Sequence, residues 1–414
     1  MVLRRALLLA GLTIVGACSS NGNSAPPDTA SQFSTTVPSP TSDGVLRLGL
    51  LIPQSGDGST LGQPLVAVAE AAVRAINDAG GVLGQPVELV VADEGPDLAA
   101  ALSSVDKLIN DENIDALIGP LSSNVALEIV PTLVDAGIGV CSPAATAVSL
   151  ADLPDDELFV RTSASDELEG QALAQIVAQT GVSATVLAYP DDPFGRDLSG
   201  AISRALALQG INVDVSVPFD PAGSDYASAV DSLPSDRVMT VVGDSESGGR
   251  FLRAMLTNNK ASTIIVNDAL AAVDLADAPE LTDAASKVIG VAVDAQAGTD
   301  GVAEYLGAEA PALGAPMVDC VNLLALASSF SGSDIAAEFM PQVIAASRGG
   351  SACVTFATCL EIIEAGLNID YNGPTGVLSL DANGDPSVAT FVTFGFDDDG
   401  HTSYRGDLGV FSAP

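Results

Sequence analysis

The chain has 414 residues, with 15 Lys and Arg against 53 Asp and Glu, a formal net charge of −38. So acidic a chain lacks the clustered cations that a phosphate backbone requires, which excludes nucleic acid as a partner, and its single His excludes a multi-histidine metal centre. Hydrophobic residues make up 47% and charged ones only 16%, so the chain can build packed cores, and its length predicts two or three domains rather than one.

Met1-Val2-Leu3-Arg4-Arg5 followed by the apolar run Ala6 to Val15 reads as a secretion signal, too short to span a bilayer as a stable helix. Val15-Gly16-Ala17-Cys18 has the small residues before Cys of a bacterial lipobox. The expectation is a signal peptide over 1–17, a lipidated Cys18, and a Ser/Thr/Asn/Pro-rich tether over 18–43. That places the body outside the cytoplasm, anchored to the outer face of the cell membrane by lipid alone.

From Val45 short apolar runs alternate with amphipathic stretches. Strands are predicted at Val45 to Ile52, Val87 to Ala92, Ala116 to Gly119 and Ile138 to Cys141, with helices from Leu65 to Ile76, Leu98 to Ile109 and Asn124 to Ala136. After Arg161 the rhythm restarts. Helices are predicted at Ala172 to Gln179, Asp197 to Gln209 and Gly249 to Thr257, and strands at Ala184 to Tyr189, Ile211 to Val217, Val238 to Gly243 and Thr263 to Val266. Such a βαβ rhythm implies parallel sheets covered on both faces. Later helices around Asp319 to Ser329 and Ile335 to Ala346 fit the second unit poorly, so the chain is expected to cross back. The fold class is α/β: two Rossmann-like lobes, each a mostly parallel sheet flanked by helices, joined by a multi-crossing hinge. The lobes are read as 44–163 plus 296–372, and 164–295 plus 373–414.

Of the four remaining cysteines, Cys353 and Cys359 are spaced to close a small disulfide loop in an oxidising compartment. Cys141 and Cys320 lie in apolar surroundings and are either buried thiols or a second bridge. No Cys-x-x-Cys occurs, and no metal or cofactor is called for.

In open parallel sheets ligands bind beyond the carboxyl ends of the strands. Those ends in the first unit are hydroxyl-rich and uncharged: the stretches after Ile52, after Ile118 (Gly119-Pro120-Leu121-Ser122-Ser123-Asn124), and after Val140 (Cys141-Ser142-Pro143-Ala144-Ala145-Thr146). Free N–H groups at helix N-termini there attract a carboxylate. The second unit offers Asp244 and Asp268, which suit a cation. Hydroxyls and amides on one wall and carboxylates on the other match a zwitterion, of which an α-amino acid is the simplest. Ser122, Ser123 and Thr146 are also ordinary helix-cap and turn residues, and that reading stays beside the first.

Leu48 to Gly56, Ala75-Ile76-Asn77-Asp78-Ala79-Gly80-Gly81-Val82-Leu83-Gly84, Ser142 to Thr146, Val321 to Leu324 and Ile369 to Gly376 run in an order that resembles the type I periplasmic binding proteins of the leucine/isoleucine/valine-binding family. The resemblance implies a bilobal ligand-capture lipoprotein of an ABC transporter, without covalent chemistry, that serves a permease and its ATPase. Position by position it assigns the ligand carboxylate to Ser123, further contacts to Ala144 and Thr146, the covering aromatic to Phe194, and the ammonium to Asp268. Two family aromatic positions fall on Asp244 and Leu61. The pocket has thus exchanged two rings for an aliphatic chain and a charge, and a ligand with a second donor group enters consideration.

Three other readings are open. Gly243-Asp244-Ser245 with Asp398-Asp399-Gly400-His401 would suit a Gly-Asp-Ser hydrolase using Ser245 and His401, but the Ser lies mid-chain, and Asp397 to Gly400 also reads as a solvated turn. Asp381-Ala382-Asn383-Gly384-Asp385 resembles a calcium loop without its distal Glu, which favours a hairpin turn. The same fold also serves ligand-sensing receptors, whose ligand here would be an amide or small carboxylate.

Overall fold

The structure is a computed structural model and describes residues 42–56, 58–294, 301–303, 305–306 and 310–413. The expected signal peptide, Cys18 and nearly all of the tether lie outside the described residues.

Strand β1 (Arg47–Ile52) is an interior strand of the first sheet because it is apolar at consecutive positions. Leu48, Leu50 and Ile52 face the core formed with helix α1 (Ser59–Asp78), while Leu51 faces the core under α2 (Leu98–Asn110) and α3 (Ser123–Asp135). Only a strand buried on both faces tolerates such a run. It pairs in parallel with β2 (Glu88–Asp93) and β3 (Ala116–Ile118), and β4 (Gly139–Ser142) and β5 (Phe159–Arg161) complete the order β2-β1-β3-β4-β5. Gly119 ends β3 at φ +111°, and a Cβ there would lie 2.1 Å from the Leu51 carbonyl oxygen, so only Gly lets the chain leave the sheet this close to β1.

The second sheet contains β6 (Ala184–Pro190), β7 (Asn212–Phe219), β8 (Val238–Val241), β9 (Thr263–Val266) and β10 (Val288–Val293). These five are parallel, in the order β10-β9-β8-β6-β7. A hairpin of β13 (Val388–Phe396) and β14 (Thr402–Ser412) adds antiparallel strands to the β10 edge. The expected turn at Asp397 to Gly400 is the tip of that hairpin, braced by the Asp397 carboxylate, which accepts from the Asp399 and His401 amides at 3.0 and 2.9 Å. Helices α4 (Asp166–Gln179) and α5 (Pro193–Leu208) cover one face of this sheet.

The chain does cross back. The helix Gly314–Ser331 is buried at every residue from Met317 to Ser328 and packs into the first-lobe core with α1. Residues beyond 373 do not all leave with the second sheet: Leu378 and Leu380 belong to the first-lobe core, and Asp385 pairs with Arg161. The segment Asp381 to Asp385 is a turn held by its own Asp381 carboxylate, which accepts from Asn383 and Asp385 amides, and Leu380 bridges to Pro386 in antiparallel fashion. Among the described residues no cluster of three His, Cys, Asp or Glu could hold a metal, and no single helix is long and apolar enough to cross a bilayer.

Both cysteine pairs are bridged, Cys141–Cys320 with Cα atoms 5.6 Å apart and Cys353–Cys359 at 5.3 Å. The first joins β4 to the returning helix across a sequence separation of 179. Chain-entropy arguments make the long link worth up to about 5 kcal/mol and the six-residue one about 2 kcal/mol. Cys141→Ala/Cys320→Ala is therefore expected to lower unfolding stability more than Cys353→Ala/Cys359→Ala in urea titrations. The reverse order would show that the long bridge is not the stronger constraint.

Candidate functional site

Ser123 opens α3 and is buried, with only 7% of its surface exposed. Its Oγ accepts from the Thr146 and Ala147 amides at 3.0 and 3.2 Å. Ser142 Oγ likewise accepts from Ala144 and Ala145 and donates to the Pro120 carbonyl. These two hydroxyls pin the 144–147 loop against the start of α3. Since a hydroxyl has two lone pairs and one proton, Ser123 has spent its lone pairs and keeps the proton for a further acceptor. The loop is fixed from behind by Arg161, whose Nη1 donates to the Ala145 and Ala147 carbonyls at 3.3 and 2.9 Å. Arg161 is fully buried and its remaining nitrogens grip Asp385 bidentately, both at 2.6 Å. Ala144 and Thr146, on the open side of the loop, remain partly exposed.

Against this loop stands the first turn of α4. Ser165 caps it by accepting from the Glu167 amide, and the turn carries Asp166, Glu167 and Glu169. Negative charge is favourable at a helix N-terminus, but two of these acids are buried. Asp166 is fully buried and its amide donates to the Thr146 carbonyl, which ties α4 to the loop. Its pKa is raised to about 7, chiefly by burial and further by the Asp268 charge. The Thr146 hydroxyl pulls it down, yet neither carboxylate oxygen completes a hydrogen bond among the described residues. Glu169 is 4% exposed and accepts from the Asp268 amide at 2.7 Å. Burial and then the charges of Asp268 and Asp166 push it well above the usual carboxylate range. Asp268, at the end of β9, is pushed up by burial while facing the Glu169 carboxyl. Asp166 and Glu169 were not among the expected site residues; the legible signal was a Ser-Asp-x-x-Glu start of a helix that the apolar pattern begins only at Ala172.

The other expected residues are placed as follows. Phe194 lies in the first turn of α5, packed on the second-lobe core, and its amide donates to Asn124 Oδ1 at 3.1 Å. Asn124 Nδ2 donates to Asp192 Oδ2 at 3.1 Å, and Asp192 also caps α5 through the Gly195 amide. This carboxamide, with the Ser149 amide on Asp197 at 2.8 Å, clasps the two lobes beside Phe194. Asp244 is a helix cap: its carboxylate accepts from the Glu246 and Ser247 amides and from the Ser247 hydroxyl at 2.6–2.7 Å. The Asp244 carboxylate is thus engaged just ahead of α7 (Ser247–Asn258), while its charge still reaches Asp192 and Tyr226. Leu61 sits in the first turn of α1, packed on the first-lobe core. Ser245 and His401 are both exposed, and His401 Nδ1 faces Asp274 at 3.4 Å, so the hydrolase pair is not assembled.

Three buried carboxyls and the half-buried Asp115 share one consequence. Burial raises Glu94, Asp115 and Asp166 to about 7 and Asp319 to about 6. Unfolded, each titrates near 4. A raised folded pKa means that the folded state holds the proton more tightly, so this contribution is full below about pH 4 and is lost as pH rises through 6–7. The ligand-free melting temperature is therefore expected to rise as pH falls from 7.5 to 5. A flat or falling profile in a melting series would contradict these assignments.

The chain thus has two α/β lobes, with a pinned hydroxyl-and-amide wall on one and buried acids on the other. The family model for periplasmic binding proteins matches residues 45–331, and the chain belongs to that family, as a type I member of the leucine/isoleucine/valine-binding group. It is 26% identical over 245 residues to the Leu/Ile/Val-binding protein BraC3 of Rhizobium johnstonii, covering 58% of this chain and 66% of that protein, just under two thirds of its length. Among solved structures, the fold is shared with the branched-chain amino acid transporter substrate binding protein LivJ of Streptococcus pneumoniae in complex with isoleucine. That match has a TM-score of 0.69 and 19% identity, over 89% of this chain and 100% of the other. It is shared equally with a solute binding protein of an ABC transporter from R. palustris in complex with benzoate (TM-score 0.70, 19% identity, 90% and 98% covered).

Proposed function

We propose that the protein is the extracytoplasmic capture component of an ABC transporter, lipid-anchored through Cys18, that takes up a small amino-acid-like ligand and delivers it to a permease driven by an ATPase. The observation that carries this reading is the polarity of the two walls. The Ser123 proton and the start of α3 suit a ligand carboxylate, and Asp268 with the α4 acids suits an ammonium. Family membership and the isoleucine complex of a structural neighbour support it. Ligand capture followed by lobe closure requires no covalent step, and the ligand acts by its differential affinity for the closed state. The benzoate complex of another neighbour makes a plain aromatic acid the competing ligand class, and a sensing role for the same site would use the same capture step with a different membrane partner.

A thermal-shift panel of the mature chain against amino acids, amides and benzoate tests the ligand class, since a ligand that binds only the native state raises the melting temperature. Shifts confined to compounds with both a carboxylate and an ammonium support the reading. A shift with benzoate and none with any amino acid overturns it.

A further inference from the structure

One α-ammonium needs one carboxylate, but three carboxyls converge at the acid wall. Glu169 and Asp268 face each other at hydrogen-bond range, and the Asp268 amide is fixed on Glu169 Oε1 at 2.7 Å, so these two groups share a proton when the site is empty. Asp166 is separate. It is fully buried and feels both of the others; the Thr146 hydroxyl and the Arg161 charge favour its ionised form, but neither of its oxygens completes a well-formed hydrogen bond among the described residues. A buried, unpartnered carboxylate is costly unless something brings it a proton or a cation. Among the described residues no uncommitted cation reaches it. Arg161 is the basic group in reach, and its guanidinium is committed to Asp385 and to the Ala145 and Ala147 carbonyls. The remaining neighbours are Asp197, which is also acidic, Tyr404 near Asp268, and the Thr146 hydroxyl.

We propose, resting on the amino-acid reading above, that the ligand is a diamino acid. Its carboxylate meets the Ser123–Thr146 wall, its α-ammonium meets the Glu169–Asp268 pair, and a second cationic nitrogen meets Asp166. The charges of the acid wall then close: the Glu169–Asp268 pair keeps its shared proton and carries one negative charge, ionised Asp166 carries the second, and the two face two ammonium groups, while the wall with no charge of its own receives the ligand carboxylate. Binding displaces protons from the acid cluster, so affinity rises with pH through neutrality, opposite to the trend of the ligand-free protein's stability.

The test is calorimetric titration of the mature chain at pH 8 with ornithine and with norvaline, which is the same carbon chain without the terminal ammonium. Ornithine is expected to bind at least ~10-fold more tightly, and more tightly at pH 8 than at pH 6. Asp166→Asn, checked for folding by its melting curve, is expected to shrink the ornithine-to-norvaline ratio, because it removes the acid that faces the second nitrogen and leaves the Glu169–Asp268 pair in place. Norvaline binding as tightly as ornithine, or more so, would overturn the diamino acid while leaving the amino-acid reading in place. Binding of benzoate with neither amino acid would overturn both.

Discussion

Arg161→Met is expected to lower unfolding stability by about 3–5 kcal/mol, because it strands the Asp385 carboxylate in a buried position without its partner. The same substitution removes the donors that hold the Ala145 and Ala147 carbonyls. Stability and ligand affinity should therefore fall together, although Arg161 lies behind the loop and not on its open side. Replacing the pair as Arg161→Met/Asp385→Leu separates the two effects. Swapping a whole buried ion pair for apolar groups is often close to neutral, so stability should largely return. Affinity should not, because the loop still lacks its anchor. Urea titrations with parallel ligand titrations read both quantities. Recovery of affinity along with stability in the double variant would show that the 144–147 loop holds its shape without Arg161.

The second large effect is at the acid wall and has the opposite signature. Asp268→Ala should weaken binding of an amino acid with a free ammonium by roughly 100-fold, in line with the loss of one partner of a desolvated charge pair. It should not destabilise the ligand-free protein at pH 8. Burial makes ionised Asp268 unfavourable in the empty site, and its charge in turn disfavours ionised Glu169 and Asp166, so removing it relieves repulsion. A melting temperature equal to or above that of the parent, with affinity lost, is the expected pair of results. Unchanged affinity would sink the assignment of the ammonium to Asp268.

The alternation of apolar runs and amphipathic stretches carried the parallel strands and most helices, because strands buried on both faces and helices with one apolar face have strong periodic signatures. The start of α4 was not legible in that way. Its first turn is buried through acids, so the apolar pattern begins only at Ala172 although the helix begins at Asp166. For the same reason Asp166 and Glu169 escaped the site reading: charged residues on a helix read as a solvated face until tertiary packing buries them. The β13–β14 hairpin was missed because its exposed strand β14 has no continuous apolar run and pairs on one side only. Asp244 shows the converse case. A carboxylate at a strand end suits a cation on paper, but the free amides of α7 lie nearer and take it. Arg161 could not be placed from the sequence at all, since its partner Asp385 lies 224 residues away. The Cys141–Cys320 bridge posed the same problem, for apolar surroundings fit a thiol and a disulfide equally well.

The most direct measurement is a crystal structure of the mature protein with a bound amino acid from the titrations. The account predicts the ligand between the lobes, its carboxylate within hydrogen-bond distance of the Ser123 hydroxyl and the Thr146 region, and its ammonium on Asp268 and Glu169. A ligand with its carboxylate turned toward the α4 acids, or seated in the open groove lined by Phe330, Pro341 and Arg348, would contradict it.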